Sequence, residues 1–367
     1  MKFPTFEMER MQSTWEHRVK YDLSESGVEA MTLDEAVRDT RELLGTRLGY
    51  AEGVGREPTR ALVAGFHPGA TAENVVLTTG TSEANYLVIT TLVSAGDEVV
   101  IVMPNYMQLH GLATGLGARV REVWLREERG WTIDLDALAA AVNDRTKLIC
   151  VCTPNNPTGQ ALTRAEIKRV SEIAMRHGAW IIADEVYRGA ELTGVESASF
   201  SGAGERIIVT GGLSKVYGLP GLRVGWLVAP AERVRAALEL KDYTTIAPAT
   251  LSEMLAEVAL ERRPKLLERA RYLLTERWPA LEEWAATHSR ELHWTPPQAG
   301  AICFFSYRFP IDSMVFVDRL IREYSTMVVP GIQFRAERHL RIGFGMEPRL
   351  LHAGLAAIDR LLSALGD

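Results

Sequence analysis

The chain has 367 residues, of which 47% are apolar and 24% charged, enough for a large core and two domains. Its 41 basic and 47 acidic residues leave a net charge of −6, which supplies no broad cationic surface for nucleic acid or anionic lipid. The first residues lack the apolar run of a signal peptide, and no later run approaches a membrane span. We therefore expect a cytoplasmic protein that acts on small molecules.

Short apolar runs alternate with longer amphipathic segments from about residue 50 to residue 245, a pattern that predicts a parallel sheet covered by helices. The predicted strands are nearly all apolar, as strands buried on both faces should be, and comprise residues 74–78, 98–102, 148–152, 180–183 and 206–210. Residues 163–177 predict a helix, with a capping box at Thr163 and Glu166 and a terminating Gly178.

The pattern changes after Pro248, where long charged helices are predicted. The predicted elements are helices at 251–261 and 264–287, an apolar strand at 301–305 and a last helix from residue 350. We therefore expect a large domain of residues 45–245, and a smaller α+β domain built from both termini, residues 1–44 and 246–367. Cys150 and Cys152 lie in a predicted buried strand and Cys303 lies far along the chain, so no disulfide framework and no metal site are expected.

Residues suited to an anion follow the first predicted strand. Gly80, Thr81 and Ser82 form a glycine turn that opens a helix, where free backbone amides and the positive end of the helix dipole suit a phosphate. A plain helix cap by Thr81 or Ser82 explains the same residues equally well. After the next strand, Tyr106 offers a face that could stack on a flat heteroaromatic ring, or could pack in the core.

The following strands bring an amide and an acid to the same edge of the sheet, where ligands of open α/β sheets bind. Asn156 lies in a rigid turn rich in proline, and its amide could donate to a phenolate oxygen of a bound ring, although a plain turn would look similar. Asp184 follows four apolar residues, and its carboxylate would be costly to bury unpaired. Either a protonated ring nitrogen or a neighbouring arginine would pair it.

Residues 214–226 hold one lysine among small turn residues and an arginine eight positions later. The amine of Lys215 can condense with a carbonyl group, and the guanidinium of Arg223 suits a phosphate dianion. The segment therefore predicts a site for an aldehyde cofactor that carries a phosphate. Otherwise, Lys215 would be a solvated loop charge and Arg223 a surface ion-pair partner.

Together these motifs resemble the class I and II aminotransferases, which are pyridoxal-phosphate enzymes of fold type I. The resemblance covers nearly the whole chain and rests on residues 80–82, Tyr106, 155–159, 184–187, 214–215, 223–225 and Arg341, in that order. It implies a large domain with a mostly parallel seven-stranded sheet between helices, a smaller α+β domain and a homodimer. It also implies pyridoxal phosphate as the cofactor.

The resemblance assigns three catalytic residues: Lys215, which joins the cofactor aldehyde as a Schiff base, Asp184, which pairs with the pyridine nitrogen, and Tyr187. It implies that Tyr187 and Asn156 contact the ring oxygen and that Tyr106 stacks on the ring. The implied phosphate contacts are Gly80, Thr81, Ser82, Ser214 and Arg223, with Tyr50 contributed by the neighbouring subunit. Arg341, with help from Asn156, is the implied contact of the substrate α-carboxylate, and Gly27 is a further predicted substrate-binding residue.

One position departs from the family pattern. Gly212 stands where the family usually has a hydroxyl residue, three positions before the lysine. We therefore expect one phosphate contact to be missing or moved, with Ser214 or the run from Thr210 to Gly212 compensating. Since one hydrogen bond contributes only about 1 kcal/mol, cofactor binding should survive.

The resemblance implies transamination between an α-amino acid and a 2-keto acid, with the Lys215 amine taking the α-proton. Residues 21–28 and 213–226 also resemble cyclases of the capreomycidine synthase type, which act on a basic amino acid, and no residue of the lysine segment decides between the two reactions. Glu25 could bind a basic side chain or be a solvated loop carboxylate. Arg335 and Arg338 are the candidates for binding an acidic one.

A third possibility from another class is an effector-binding transcriptional regulator, because transaminase-like domains also act as sensors. Such proteins carry a DNA-binding domain ahead of the fold. The segment before Tyr50 is too short and too acidic for a winged helix, so this possibility is disfavoured.

Overall fold

The computed structural model describes residues 2–36 and 41–366. The strands are β1 (Tyr21–Asp22), β2 (Val75–Thr79), β3 (Glu98–Met103), β4 (Arg119–Trp124), β5 (Thr146–Cys152), β6 (Trp180–Asp184), β7 (Ile207–Gly212), β8 (Val224–Val228), β9 (Leu292–Trp294), β10 (Ile302–Tyr307), β11 (Thr326–Met327), β12 (Val329–Pro330) and β13 (His339–Gly343). The helices are α1 (Glu7–Trp15), α2 (Leu33–Ala36), α3 (Arg41–Leu44), α4 (Glu57–Ala64), α5 (Gly80–Leu92), α6 (Gln108–Gly115), α7 (Leu135–Ala141), α8 (Arg164–Arg176), α9 (Ala231–Lys241), α10 (Thr250–Glu261), α11 (Arg263–Thr287), α12 (Ser313–Tyr324) and α13 (Pro348–Gly366). No helix in these ranges combines the length and the apolar content that crossing a bilayer requires.

The large sheet has seven strands in the order β2-β8-β7-β6-β5-β3-β4. All run in the same direction except β8, which is antiparallel to both of its neighbours. The predicted mostly parallel seven-stranded sheet is therefore confirmed, and all five predicted strands of the large domain lie in it. The sequence analysis does not predict β4, an edge strand without an apolar run, or β8, which follows β7 through a loop instead of a helix.

Both faces of this sheet are covered, which explains why its strands are almost wholly apolar. Successive residues of β3 point into different hydrophobic clusters: Val99 and Ile101 pack with helices α5, α6 and α9, and Val100 packs on the opposite face with helix α8. The capping box predicted at Thr163 is confirmed, because its side chain accepts from the amide of Glu166 while the Glu166 carboxylate accepts from the amide of Thr163.

A second, four-stranded antiparallel sheet has the order β12-β13-β10-β9 and packs with α11, α12 and α13. Strand β1, near the start of the chain, pairs in parallel with β11, so that Tyr21 lies opposite Thr326. Residues before Gly27 thereby contact residues after 300, as the predicted smaller domain built from both termini requires. The predicted boundaries, 45–245 against 1–44 and 246–367, stay a prediction.

Candidate active site

One cavity of about 270 Å³ opens at the carboxyl edge of the large sheet. It gathers most of the predicted site residues: Thr81, Ser82, Tyr106, Asn156, Asp184, Tyr187, Ser214, Lys215, Arg223 and Arg341. Gly27 and Gly80 lie beside it, since a Cβ on Gly27 would meet the carbonyl oxygen of Lys215 at 3.2 Å and one on Gly80 would meet the guanidinium of Arg223 at 2.5 Å. A larger apolar groove of about 880 Å³ lies against helix α1 and carries none of these residues.

Lys215 reaches the cavity from the loop between β7 and β8, and its Nζ lies 2.9 Å from Oε1 of Glu25. Burial disfavours both charges, but the ion pair outweighs burial: the pKa of Lys215 is raised above its ordinary value, and the pKa of Glu25 is lowered to about 2. The side chain of Glu25 is nevertheless half exposed to the cavity. Glu25 is thus a loop carboxylate that pairs with Lys215 instead of being free in solvent, and this pairing favours the ammonium form of the lysine.

Asp184 ends strand β6 and is buried. Its Oδ2 accepts from Nδ2 of Asn85 at 3.2 Å, and its Oδ1 accepts from the amide of Val186 at 3.1 Å. Burial raises the pKa of Asp184, while these two hydrogen bonds and Lys215 oppose that shift. In the described part of the chain no arginine pairs with it, so the carboxylate lacks the ion-pair partner that the alternative interpretation requires.

Two tyrosines lie on the cavity wall. The hydroxyl of Tyr187 donates to Oγ of Ser26 at 2.8 Å, and burial raises the pKa of this hydroxyl. The hydroxyl of Tyr106 donates to Oε1 of Glu9 at 2.7 Å, and its ring packs 5.0 Å from the ring of Phe6. One face of Tyr106 therefore contacts the N-terminal segment, while the residue also lines the cavity.

The residues predicted to bind a phosphate also line this cavity. Thr81 and Ser82 lie in the first turn of α5, where amide groups without helical partners face outward. The Oγ1 of Thr81 is buried and has no hydrogen-bond partner among the described residues, although such groups are normally paired. Arg223 lies beside this turn, and its Nη1 donates to Oγ of Ser214 at 3.5 Å and to the carbonyl of Pro220 at 3.2 Å. These donors fit a phosphate group.

The expectation that a phosphate contact is missing or moved at Gly212 stays a prediction. A Cβ at this position would lie 2.5 Å from Oγ1 of Thr81 and 3.1 Å from the carbonyl oxygen of Val224, so a larger residue there requires the Thr81 side chain to shift. Thr210 cannot compensate as expected, because it is fully buried and its hydroxyl donates to Asn85 Oδ1 at 2.8 Å. Of the expected compensating residues, Ser214 alone lines the cavity.

Arg341 is 2% exposed and lies on β13 of the second sheet. Its guanidinium donates to Oδ1 of Asn156 at 2.9 Å and to the carbonyl of Ser24, while its Nε has no partner among the described residues. Burial lowers the pKa of Arg341, which stays far above neutrality as guanidinium pKa values do. This group can bind a carboxylate.

The amide of Gly27, which is also predicted to bind the substrate, donates to Oε1 of Glu25 at 2.8 Å, as does the amide of Ser26. A substrate carboxylate that used the Gly27 amide would therefore displace Glu25. The alternative arginines, predicted for an acidic side chain, do not line the cavity: Arg335 pairs with Glu122 and borders the larger groove, and Arg338 is exposed.

The sequence analysis missed a group of polar residues on helix α1 that closes one side of the cavity. They are Glu9, Gln12, Ser13 and Glu16. Their spacing of three, one and three positions places them on one helix face, so a polar stripe on an amphipathic helix was the available signal. It also missed Asn85, which lies inside a helix and belongs to no motif.

Tyr50 lies outside the cavity of its own chain and is 93% exposed. It belongs to a surface with other exposed apolar side chains: Leu44, Leu48, Tyr243, Ile246 and Leu251. The segment around Tyr50 contacts the segment from residue 241 to residue 251. Thr250 Oγ1 donates to the carbonyl of Gly49 at 2.6 Å, and Lys241 donates to the carbonyls of Gly53 and Ile246.

Comparison with known proteins shows the family of the chain. Residues 19–358 match the family model of aminotransferase class I and II. Capreomycidine synthase of Streptomyces vinaceus is 35% identical over 353 residues, 94% of this chain and 90% of that protein. Arginine–pyruvate transaminase of Pseudomonas aeruginosa is 31% identical, covering 83% of this chain and 81% of that one. The structure of a pyridoxal-phosphate-dependent aminotransferase from Streptococcus suis superimposes with a TM-score of 0.94 at 30% identity, covering 100% and 99% of the two chains.

Proposed function

The chain belongs to the class I and II aminotransferase family and depends on pyridoxal phosphate, and from this premise we propose that it transfers an amino group between an α-amino acid and a 2-keto acid. The observation that carries the proposal is the convergence of Lys215, Asp184 and Arg341 on one cavity. One group there can attach an aldehyde, one can hold a cationic ring nitrogen and one can bind a carboxylate.

The residues of the cavity fit this cofactor, because the buried hydroxyl of Thr81, the first turn of α5 and the guanidinium of Arg223 are hydrogen-bond donors that suit a phosphate. We assign the phosphate to them and to Gly80, Ser82 and Ser214. When bound, pyridoxal phosphate supplies an aldehyde that condenses with amines and a ring that accepts electrons. Asp184 would hold the ring nitrogen, Asn156 and Tyr187 the ring oxygen, and Tyr106 the ring face.

The remaining residues bind the substrate and move its proton. Arg341 and Asn156 would fix the α-carboxylate and thereby direct the Cα hydrogen towards Nζ of Lys215, which acts as the base. Lys215 must be neutral for this step, and Glu25 opposes that state while the two are paired. A carboxylate that takes the Gly27 amide displaces Glu25, and this displacement favours the neutral amine.

A second candidate is a cyclase or lyase reaction on a basic amino acid, and the charges of the cavity favour a substrate of that kind. The cationic residues of the cavity are all assigned to the cofactor or to the α-carboxylate; they are Lys215, Arg223 and Arg341. The acidic residues other than Asp184 have no such assignment; they are Glu9, Glu16 and Glu25. A substrate with a cationic side chain would compensate them, whichever reaction follows.

Two assays of the purified enzyme separate the reactions. A transaminase bleaches its visible band with arginine and recovers it with a 2-keto acid such as pyruvate, and product formation requires the keto acid. A cyclase or lyase needs a substrate that carries a leaving group, such as a hydroxylated arginine derivative, and eliminates water to give a cyclic or unsaturated product without any keto acid, as mass spectrometry of the product would reveal. A visible band that no amino acid changes would contradict both candidates.

Glu9→Gln should raise the KM for arginine about tenfold, because the variant keeps an acceptor for Tyr106 but loses the charge that faces the substrate. Glu16→Gln should also raise the KM for arginine, but by less, since Glu16 is more exposed than Glu9. The matched control is Glu7→Gln on the same helix, whose side chain borders the larger groove instead of the cavity. An equal loss with a neutral amino acid would refute a role in binding the cation.

We further propose that the enzyme is a cytoplasmic homodimer that buries the apolar surface around Tyr50. Exposed patches of this kind mark interfaces, and a second copy would bring Tyr50 to the phosphate end of its partner's cavity. Sedimentation equilibrium should then give twice the chain mass of 40.7 kDa. A monomer at micromolar concentration would contradict the assignment of Tyr50.

A further inference from the structure

Asn85 lies on α5, the helix whose first turn forms the anion site, and is 1% exposed. Its Nδ2 donates to Oδ2 of Asp184 at 3.2 Å. This is the one side-chain hydrogen bond to Asp184 in residues 2–36 and 41–366. The helix that would bind the phosphate thus also contacts the acid assigned to the ring nitrogen.

The surrounding hydrogen bonds fix the orientation of this amide. An ionised carboxylate only accepts, so the NH₂ group of Asn85 must face Asp184. Its Oδ1 then accepts from Oγ1 of Thr210, 2.8 Å away on the neighbouring strand β7. The second N–H of Asn85 donates to Oε1 of Gln108 at 3.2 Å, and Nε2 of Gln108 donates to the carbonyl of Ser82 at 2.8 Å. Every polar atom of Asn85 is therefore paired.

Asp184 needs such support because few neighbouring groups favour its charge. Burial raises its pKa, and the bond from Asn85 is the largest opposing cause, ahead of the amide of Val186 and of Lys215. The other titratable groups around it disfavour a negative charge or are neutral: Glu185, Cys152, Tyr106 and Tyr187. Lys215 is moreover paired with Glu25.

We propose that Asn85 is a positioning residue that keeps Asp184 ionised and directed at the cofactor's ring nitrogen, and that Thr210 holds the Asn85 amide in the orientation this requires. The inference rests on the proposed function only in that pyridoxal phosphate binds in this cavity. It is the same for transamination and for cyclisation, because both need the ring nitrogen to stay cationic.

The test compares Asn85→Leu, which keeps the branched shape of the side chain but removes every side-chain hydrogen bond, with Thr210→Val and Thr210→Ser. We expect Asn85→Leu to weaken pyridoxal-phosphate binding to the apoprotein about tenfold, as quenching of tryptophan fluorescence would measure. It should also shift the pH at which the visible band of the bound cofactor changes. Thr210→Val should give a smaller shift in the same direction, and Thr210→Ser, which restores the hydroxyl, should behave like the wild type.

Thr90→Val controls for the helix itself, because the hydroxyl of Thr90 is buried on α5 without a hydrogen-bond partner. Thr90→Val should change neither the affinity for pyridoxal phosphate nor the pH at which the visible band changes. If Asn85→Leu fails to fold, Thr210→Val and Thr210→Ser still test the proposal, because only serine keeps the hydroxyl that donates to Asn85. Wild-type cofactor affinity and pH transition in both Asn85→Leu and Thr210→Val would overturn the proposal. Failure of the wild type to bind pyridoxal phosphate would instead refute the proposed function.

Discussion

Lys215→Ala should reduce turnover on the order of 10⁴-fold, because the variant loses both the amine that attaches the aldehyde and the base that takes the α-proton. The cavity should otherwise survive, since Glu25 keeps the amides of Ser26 and Gly27 as donors. The measurements are product formation with arginine as the amino donor and circular dichroism of the folded chain. Borohydride reduction of the wild type, followed by peptide mapping, should place the cofactor on Lys215.

Lys215→Arg is the matched variant, because it keeps a positive charge next to Glu25 but cannot act as a base near neutral pH. We expect it to be as inactive as Lys215→Ala. Activity within tenfold of the wild type in either variant, or a borohydride label on another residue, would contradict the assignment of Lys215.

Asp184→Asn should lower kcat on the order of 10³-fold while preserving the shape of the cavity, because an amide cannot hold the ring nitrogen as a cation. The stability of the apoprotein should change little. Burial raises the pKa of Asp184, and an acid with a raised pKa adds stability at low pH that is lost as the pH rises through the folded value. Asp184→Asn removes this loss at neutral pH, but both carboxylate oxygens accept from N–H groups, so the variant leaves the donor of Asn85 or of Val186 without its acceptor. The two effects oppose each other, and we expect the free energy of unfolding at neutral pH to stay within about 1 kcal/mol of the wild-type value. Thermal melts would measure the stability, and steady-state rates the loss of kcat.

Glu185→Gln supplies the control, since Glu185 is the next residue and is equally buried, but hydrogen bonds to Ser199 and Phe200 instead of lining the cavity. Burial raises the pKa of Glu185 to about 7, so part of the population is already neutral. Its variant should keep a kcat within a few-fold of the wild type. Equal losses in Asp184→Asn and Glu185→Gln would indicate a general effect of this strand end instead of a contact with the cofactor.

The local patterns of the sequence determined the elements that carry the site. Apolar runs such as residues 180–183 predict strands, and a parallel sheet places the polar residue that follows each run at one edge, as it does for Asp184. Helix signals such as Thr163 and Glu166 were equally local. The direction of β8 did not follow from a local signal, because a loop between two strands permits either direction until the sheet is complete.

Only the tertiary structure decided which side chains touch these residues. Glu25 and Lys215 are separated by 190 positions, and Asn85 and Asp184 by 99, so no periodic pattern links either pair. The space for a side chain at Gly212 likewise depends on how closely Thr81 and Val224 approach it. The sequence by itself therefore determined the fold and the chemical groups of the cavity, because these follow from local periodicity and from the order of the motifs. Their charge states and partners follow from burial and from distances between remote segments, which exist only once the chain has folded.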